Sequence, residues 1–431
     1  MKLEKIRYNM KINNILLYEP NNTADFYPFS ILHSIWEIRV GAFRIFEKYQ
    51  FLFPDANVMY YGRKDHLASF YKRFGFESQN FHEGNLLALD CSLLPSQEFL
   101  TNMSKIIETL DKSLIFTINK KAIGIYIASD DLNKTEEFSR PELISDLDID
   151  LFAKFSRIEL SNFTKLNYLY DAIYANGAAL REDAHLRRMH NKLLAVNDYT
   201  GVYSTNADEI LLGKNVQIAP GCVLDASEGP IILDDNVKIM ANAVILGPCY
   251  IGKNSIIKIG AKIYQDCSFG EWCKVGGEIE NSIIQSYSNK QHEGFLGHSF
   301  LCEWVNLGAD TNNSDLKNTY SNIKIRLENE EIDTGKMFLG LLCGDHTKTG
   351  INTMFTTGTV VGICGILVRE WFLPNFIPSF SWGGGKNSPT YKVTSAIETA
   401  KIVLGRRNKE LLPEEEKLIR NEYNKIISKR Q

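Results

Sequence analysis

The segment "SNKQHEGFLG", residues 288–297, sets one imidazole, His292, among small and polar residues just ahead of an apolar run. An imidazole titrates near neutral pH, so it can take a proton from an attacking nucleophile. It can equally be one more solvated loop residue. Two further histidines, His298 and His346, raise the question of a shared metal ion. Which chemistry applies depends on the elements that hold the loop on either side.

Those elements repeat. An apolar residue recurs every six positions at Leu233, Ile239, Ile245, Ile251, Ile257, Ile263, Phe269 and Val275. Four residues after each stand Val237, Ala243, Cys249, Ser255, Ala261, Cys267, Cys273 and Ile279, most of them small. The rhythm appears earlier at Leu212 and Ile218, set off by a three-residue insertion within "DASEGP". It resumes at Phe295, Leu301 and Leu307, then at Met337, Cys343, Thr349, Phe355 and Val361. A helix has period 3.6 and a strand has period 2, so neither produces six over such a run. A left-handed parallel β-helix does: each hexad is one strand and one corner, and three close a triangular coil whose stacking buries a continuous core. Cys222, Cys249, Cys267 and Cys273 then read as small core residues rather than redox or metal sites. His292 and His298, six apart, fall on adjacent faces of such a prism, which argues against a common zinc ion. Residues 312–336 are too polar to line the core and read as a loop extruded from a corner, and 280–294 run slightly out of register.

The 431 residues are too many for one ordinary core. Residues 1–165 carry the strand-like runs "NNILLYEP", "NVMYYG", "NLLALD", "SLIFTI" and "AIGIYIA" among helical stretches such as 36–50, the mark of an α/β domain. Residues 166–209 read as a helical connector and 210–370 as the β-helix. The remainder, 371–431, reads as C-terminal helices broken near Pro413 that cover the end of the coil. A net charge of −4 leaves no basic surplus for nucleic acid. No apolar run approaches membrane-spanning length. The first residues, "MKLEKIRYNMKINNILLYEP", lack a signal-peptide core, and the eight cysteines form no CxxC pair, so a reduced, cytoplasmic protein is expected.

The segment "SNKQHEGFLGHSFLCEWVNLGADTNNSDLKN" (288–318), with "DASEGPIIL", "KVGGEIENS" and "FYPFSILHSIWEIRVGAFRIFEKY" (26–49), resembles a known family. It is that of the bifunctional enzymes that acetylate glucosamine-1-phosphate and then uridylylate the product. The likeness is to a divergent branch of sugar nucleotidyltransferases with hexapeptide repeats. The resemblance implies an α/β nucleotidyltransferase-like domain ahead of the β-helix, a homotrimer of prisms, and acetyl-CoA in the groove between them. The implied roles are His292 as general base, Asn306, Lys290, Lys262 and Asp315 as substrate contacts, and Arg39 and Lys48 as nucleotide contacts with Mg²⁺. The implied partner is a small sugar phosphate, with no nucleic acid and no membrane. The chain departs from the family pattern in four places. Phe295 stands for a tyrosine, Asp315 for an asparagine and Ile351 for a serine. "PFSILHS" replaces the phosphate-cradling loop, with His33 and Ser34 in place of arginine and proline, while Arg39 and Gly41 are kept. The alternative function is sugar-1-phosphate nucleotidyl transfer, or sugar-nucleotide binding without turnover.

Overall fold

The computed structural model describes residues 12–77, 80–110, 112–134, 140–145, 152–190, 199–328, 330–368, 372–385 and 388–430. The expectation about a leader concerns mainly residues 1–11, outside the described set. The chain forms two compact units. The first holds residues up to Thr23, His33–Ile38 and Phe43–Asn167; the second holds Ala24–Leu32, Arg39–Ala42 and everything from Tyr168.

All five strand-like runs of the first unit become strands of one mixed sheet. Its order is Asn57–Tyr61, Asn14–Tyr18, Leu86–Asp90, Lys121–Ile127, Leu114–Ile118, Ser156–Glu159. The first three run parallel, and Lys121–Ile127 is antiparallel to both its neighbours. Every residue of Asn14–Tyr18 is buried, as a parallel strand covered on both faces requires. The helix expected over 36–50 forms only from Ile45 to Leu52. Gly41, at φ +79°, turns the chain, and Arg39–Val40 and Phe43–Arg44 are extended. The helix starts where the Arg44 N–H donates to the Glu47 carboxylate at 2.6 Å.

The second unit is the expected β-helix, closed by parallel sheets on three sides. Ile231 pairs with Cys249 and Lys238 with Ile256, so one coil is three hexads. All eight apolar positions from Leu233 to Val275 are buried in the core. Two later positions differ: Leu296 takes the inward slot expected for Phe295, in register with Ile279, and Met337 is exposed. Val223 pairs with Val244 across the insertion in "DASEGP", which lengthens that coil without disturbing its faces. Corners of the coils take left-handed residues, and one corner shows the series most clearly. Asn215, Asn236 and Asn254 come first there and link side chain to side chain at 3.2 and 3.1 Å. Trp272, Tyr287, Trp304 and His346 follow at the same corner. Tyr287 stacks on Trp304 with centroids 4.3 Å apart, and Trp304 on His346 at 6.3 Å.

Three additions cover the prism. Helix Asp171–His190 belongs to the second unit and is more than a connector. Its Asn176 amide donates to the Asp266 carbonyl and accepts from Ser268, and Arg187 pairs with Asp234 at 3.0 Å. The segment expected as an extruded loop folds back instead. Lys324–Leu327 and Glu330–Asp333 form a hairpin that turns Ile323, Ile325 and Leu327 inward. Gly358 leaves room for it, since a Cβ there would lie 2.7 Å from Ile323. Glu328 holds the hairpin tip to Lys425 (2.6 Å) and Lys429 (3.1 Å). Helices Val393–Gly405 and Pro413–Arg430 cover the last coils through Ile397, Leu418 and Ile419 against Ile363, Cys364 and Phe380. Among the described residues no helix is long and apolar enough to cross a membrane.

All eight cysteines are free and buried. Burial pushes the thiols of Cys267 and Cys273 up to about 12. Ellman's reagent should therefore find no reactive thiol in the native protein and all eight after unfolding in guanidinium. Rapid labelling of the native chain would contradict the hexad assignment.

Candidate functional site

The coils around His292 are shortened. Lys274 pairs with Asn289 and Glu278 with Phe295, so each turn there falls short of three full hexads. The shortening falls mainly at the corner before, where four positions separate Lys274 from Glu278, while the loop 291–294 keeps the six from Asn289 to Phe295 and is packed against both neighbours. A Cβ on Gly276 would meet the Gln291 carbonyl at 2.7 Å, and one on Gly294 the Thr311 carbonyl at 2.3 Å. His292 is exposed at this corner, directly after strand Asn289–Lys290. Among the described residues no hydrogen bond to its ring is found. An imidazole in this state is open to a ligand on its solvent side.

Beside that corner runs an outward-facing polar column. Lys274 pairs with Asn289, Asn289 bridges to Asn306, and Asn306 bridges to Lys348. The expected contact Asn306 thus lies one coil from Asn289 on the face that leads to His292. The Asn289 Oδ1 is buried beside this column and has no hydrogen-bond partner among the described residues. Burial lowers the ammonium pKa of Lys348. Burial together with Arg407, Lys258 and Arg406 lowers that of Lys274. Cations held against their preference beside asparagine amides suit an anionic, hydroxyl-rich acceptor. Asn289, Lys274 and Lys348 escaped sequence reasoning, although each stands in register with Asn306 at an outward slot.

The other expected contacts divide. Lys262 is half-exposed and pairs with the exposed Glu293 at 3.2 Å, a pair weak enough to open for a ligand. Lys290 is a correction: only 1% exposed, it turns into the prism and donates to the carbonyls of Gly276 (3.2 Å) and His292 (2.7 Å). Asp315 is another. Its carboxylate lies 2.8 Å from Nδ1 of His298, and Asn281 lies 3.1 Å from Nε2. A carboxylate can only accept, so Nδ1 carries the proton. Phe338, at the far end of the folded-back segment, stacks on the same imidazole at 5.1 Å. His298 therefore fastens both ends of that segment, with both ring nitrogens engaged. Among the described residues no group of three or more His, Cys, Asp or Glu is placed to hold a metal.

In the first unit a polar cluster occupies the carboxyl ends of the parallel strands, where α/β sheets bind ligands. The acids there are already paired. Glu19 takes Arg63 at 2.8 and 3.1 Å, Asp90 takes Lys165 and Ser92, and Glu37 takes Arg73. His33 joins them, with Nδ1 at 3.0 Å from Arg73. None of these three carboxylates is left open to hold Mg²⁺, so the cluster does not fit that ion. The expected nucleotide contacts are not open either. Lys48 is buried, with its ammonium 5.8 Å from the Phe43 ring. Arg39 belongs to the second unit, where it donates to the Ala42 carbonyl and lies 5.3 Å over the Tyr250 ring.

Comparison with known proteins finds two family matches, the first running on into helix Asp171–His190 of the second unit. Residues 15–191 match the family described as Sugar nucleotidyl transferase, and residues 230–265 match Bacterial transferase hexapeptide (six repeats). The chain is 26% identical over 289 residues to a bifunctional sugar-1-phosphate nucleotidylyltransferase/acetyltransferase of Sulfurisphaera tokodaii, covering 61% of this chain and 69% of that one. It is 29% identical over 150 residues to the uncharacterized acetyltransferase YaiX of Escherichia coli, covering 34% of this chain and 65% of that one. It is 30% identical over 153 residues to the bifunctional protein GlmU of Methanococcus aeolicus, covering 35% of each. The chain thus spans about two thirds of the first two relatives and about a third of the last.

Removing Asp315 strands a buried imidazole N–H. Asp315→Ala is expected to lower stability by about 1–3 kcal/mol in urea unfolding, and Asp315→Asn, which keeps an acceptor, by less.

Proposed function

Because the chain joins a sugar nucleotidyltransferase domain to transferase hexapeptide repeats, we propose that it is an acyltransferase. It moves the acetyl group of acetyl-CoA to an amino-sugar phosphate, glucosamine-1-phosphate-like, in sugar-nucleotide biosynthesis. The observation that carries the reading is the open ring of His292 at the edge of the Lys274–Asn289–Asn306–Lys348 column. His292 takes a proton from the amino group as its nitrogen attacks the thioester carbonyl. The C–N bond forms, the C–S bond breaks, and the departing thiolate takes the proton back from the imidazolium. Asn306 and Asn289 orient the sugar, and Lys262 exchanges Glu293 for the phosphate. Main-chain N–H groups of the corner loops are the donors available to the developing oxyanion. Exposed Ile351, Val368 and Trp382 suit burial against a neighbouring prism, in keeping with a cytoplasmic homotrimer.

The family match over 15–191 favours a second reading, nucleotidyl transfer in the first unit. The engaged carboxylates Glu19, Glu37 and Asp90 weigh against it.

Thiol release from acetyl-CoA, followed across a panel of amino-sugar 1-phosphates, tests the first reading. His292→Ala should slow it by about 10²–10⁴-fold, with the folded state unchanged; equal rates for the two proteins would end it. Pyrophosphate release from UTP, a sugar 1-phosphate and Mg²⁺ tests the second. None is expected, and turnover there would reinstate it.

A further inference from the structure

One inward slot near the site holds an ammonium group. Val275 pairs with Lys290 across the shortened coil, and the register places Leu307 below it. A cation between two apolar residues in the prism is costly unless it is well bonded. Local rules fail most often where function requires it.

The main chain shows what the cation does. In the loop that presents His292, the Lys290 carbonyl accepts from Gly276 N–H at 2.7 Å, that of Glu293 from Asp310 N–H at 3.0 Å, and that of Gly294 from Glu278 N–H at 3.2 Å. Neighbouring coils thus hold both flanks of the loop. The His292 carbonyl accepts instead from the Lys290 ammonium, at 2.7 Å. The same ammonium donates to Gly276 of the coil above, at 3.2 Å. Gly277, at φ +77°, leaves it room, since a Cβ there would lie 2.6 Å from Nζ. The side chain of Lys290 ties the backbone of His292 to the adjacent coil.

We propose that Lys290 is a positioning residue for acetyl transfer, which fixes the His292 main chain and so aims the imidazole at the acceptor nitrogen. This rests on the acyltransferase reading above. The group is charged below about 8, because burial lowers its pKa; Glu293 and Asp310 favour the charge, and Lys262 opposes it. Loss of the proton weakens both bonds to carbonyls, so kcat should fall as pH rises through that value.

The test compares Lys290→Met and Lys290→Gln with the wild type on acetyl-CoA and the amino-sugar phosphate that turns over fastest. Lys290→Met should lower kcat about 10- to 100-fold, with KM for both substrates within about twofold and the thermal midpoint preserved. Lys290→Gln keeps amide donors, so it should retain more activity and lose the alkaline limb. In a His292→Ala background, Lys290→Met should have no further effect on kcat. Wild-type kcat in Lys290→Met, a loss that tracks a fall in thermal midpoint, or the same fold-loss in both backgrounds would overturn the proposal while acyl transfer stands. A panel without turnover, or a His292→Ala variant as fast as the wild type, would overturn the acyltransferase reading and this role with it.

Discussion

The narrow bore of the triangular prism is the constraint on which the second unit depends. Three short parallel strands per coil leave room for one branched apolar side chain and one small one per hexad, and packing at interior density tolerates little else. Ile239, Ile257 and Val275 stack in one such column, with Val237, Ser255 and Cys273 close to the corner. Main-chain groups in the faces bond to the coil above or below, so neither register nor direction can drift. What varies is confined to the corners, to the outward column and to the two ends.

The remaining elements answer needs that the prism creates. Its last coil would offer open strand edges, and the C-terminal helices cover them with Ile397, Leu418 and Ile419. Its flat faces would expose apolar area, and helix Asp171–His190 and the Lys324–Asp333 hairpin each take a share. The polar contacts that place them are specific: Asn176 to Asp266 and Ser268, Glu328 to Lys425 and Lys429, His298 to Asp315. The corner before His292 is short and its own is full, so His292 comes to the surface on a loop whose flanks are bonded to both neighbouring coils.

The prism was legible in the sequence because its signal is additive over many hexads and no other element repeats at six. The five core strands of the first unit were legible for a related reason, since strands buried within a sheet read as nearly unbroken apolar runs whatever their direction. The helix expected at 36–50 was not, because its apolar spacing is consistent with a helix while Gly41 and the residues beside it dictate a turn. In 312–336 the alternation of Ile323, Ile325 and Leu327 is a brief strand signal, submerged among charges. His292 and Asn306 entered through resemblance. Lys290 and Asp315 were misplaced because nothing in one dimension says whether a charged side chain turns inward to a carbonyl or a histidine. That depends on coil length, and coil length depends on pairing seen only in three dimensions.

The coils are not all of one length. Lys274 meets Asn289 across a short one, Ile231 meets Cys249 across three full hexads, and Val223 meets Val244 across a long one. A wider detour makes Phe300 the neighbour of Leu342. The inward positions meet regardless, since any surplus or deficit is absorbed between faces. A lineage built on such a scaffold can diversify by gaining or losing short stretches of gene rather than by rewriting its interior, and each event alters one rung of the outer surface at a time.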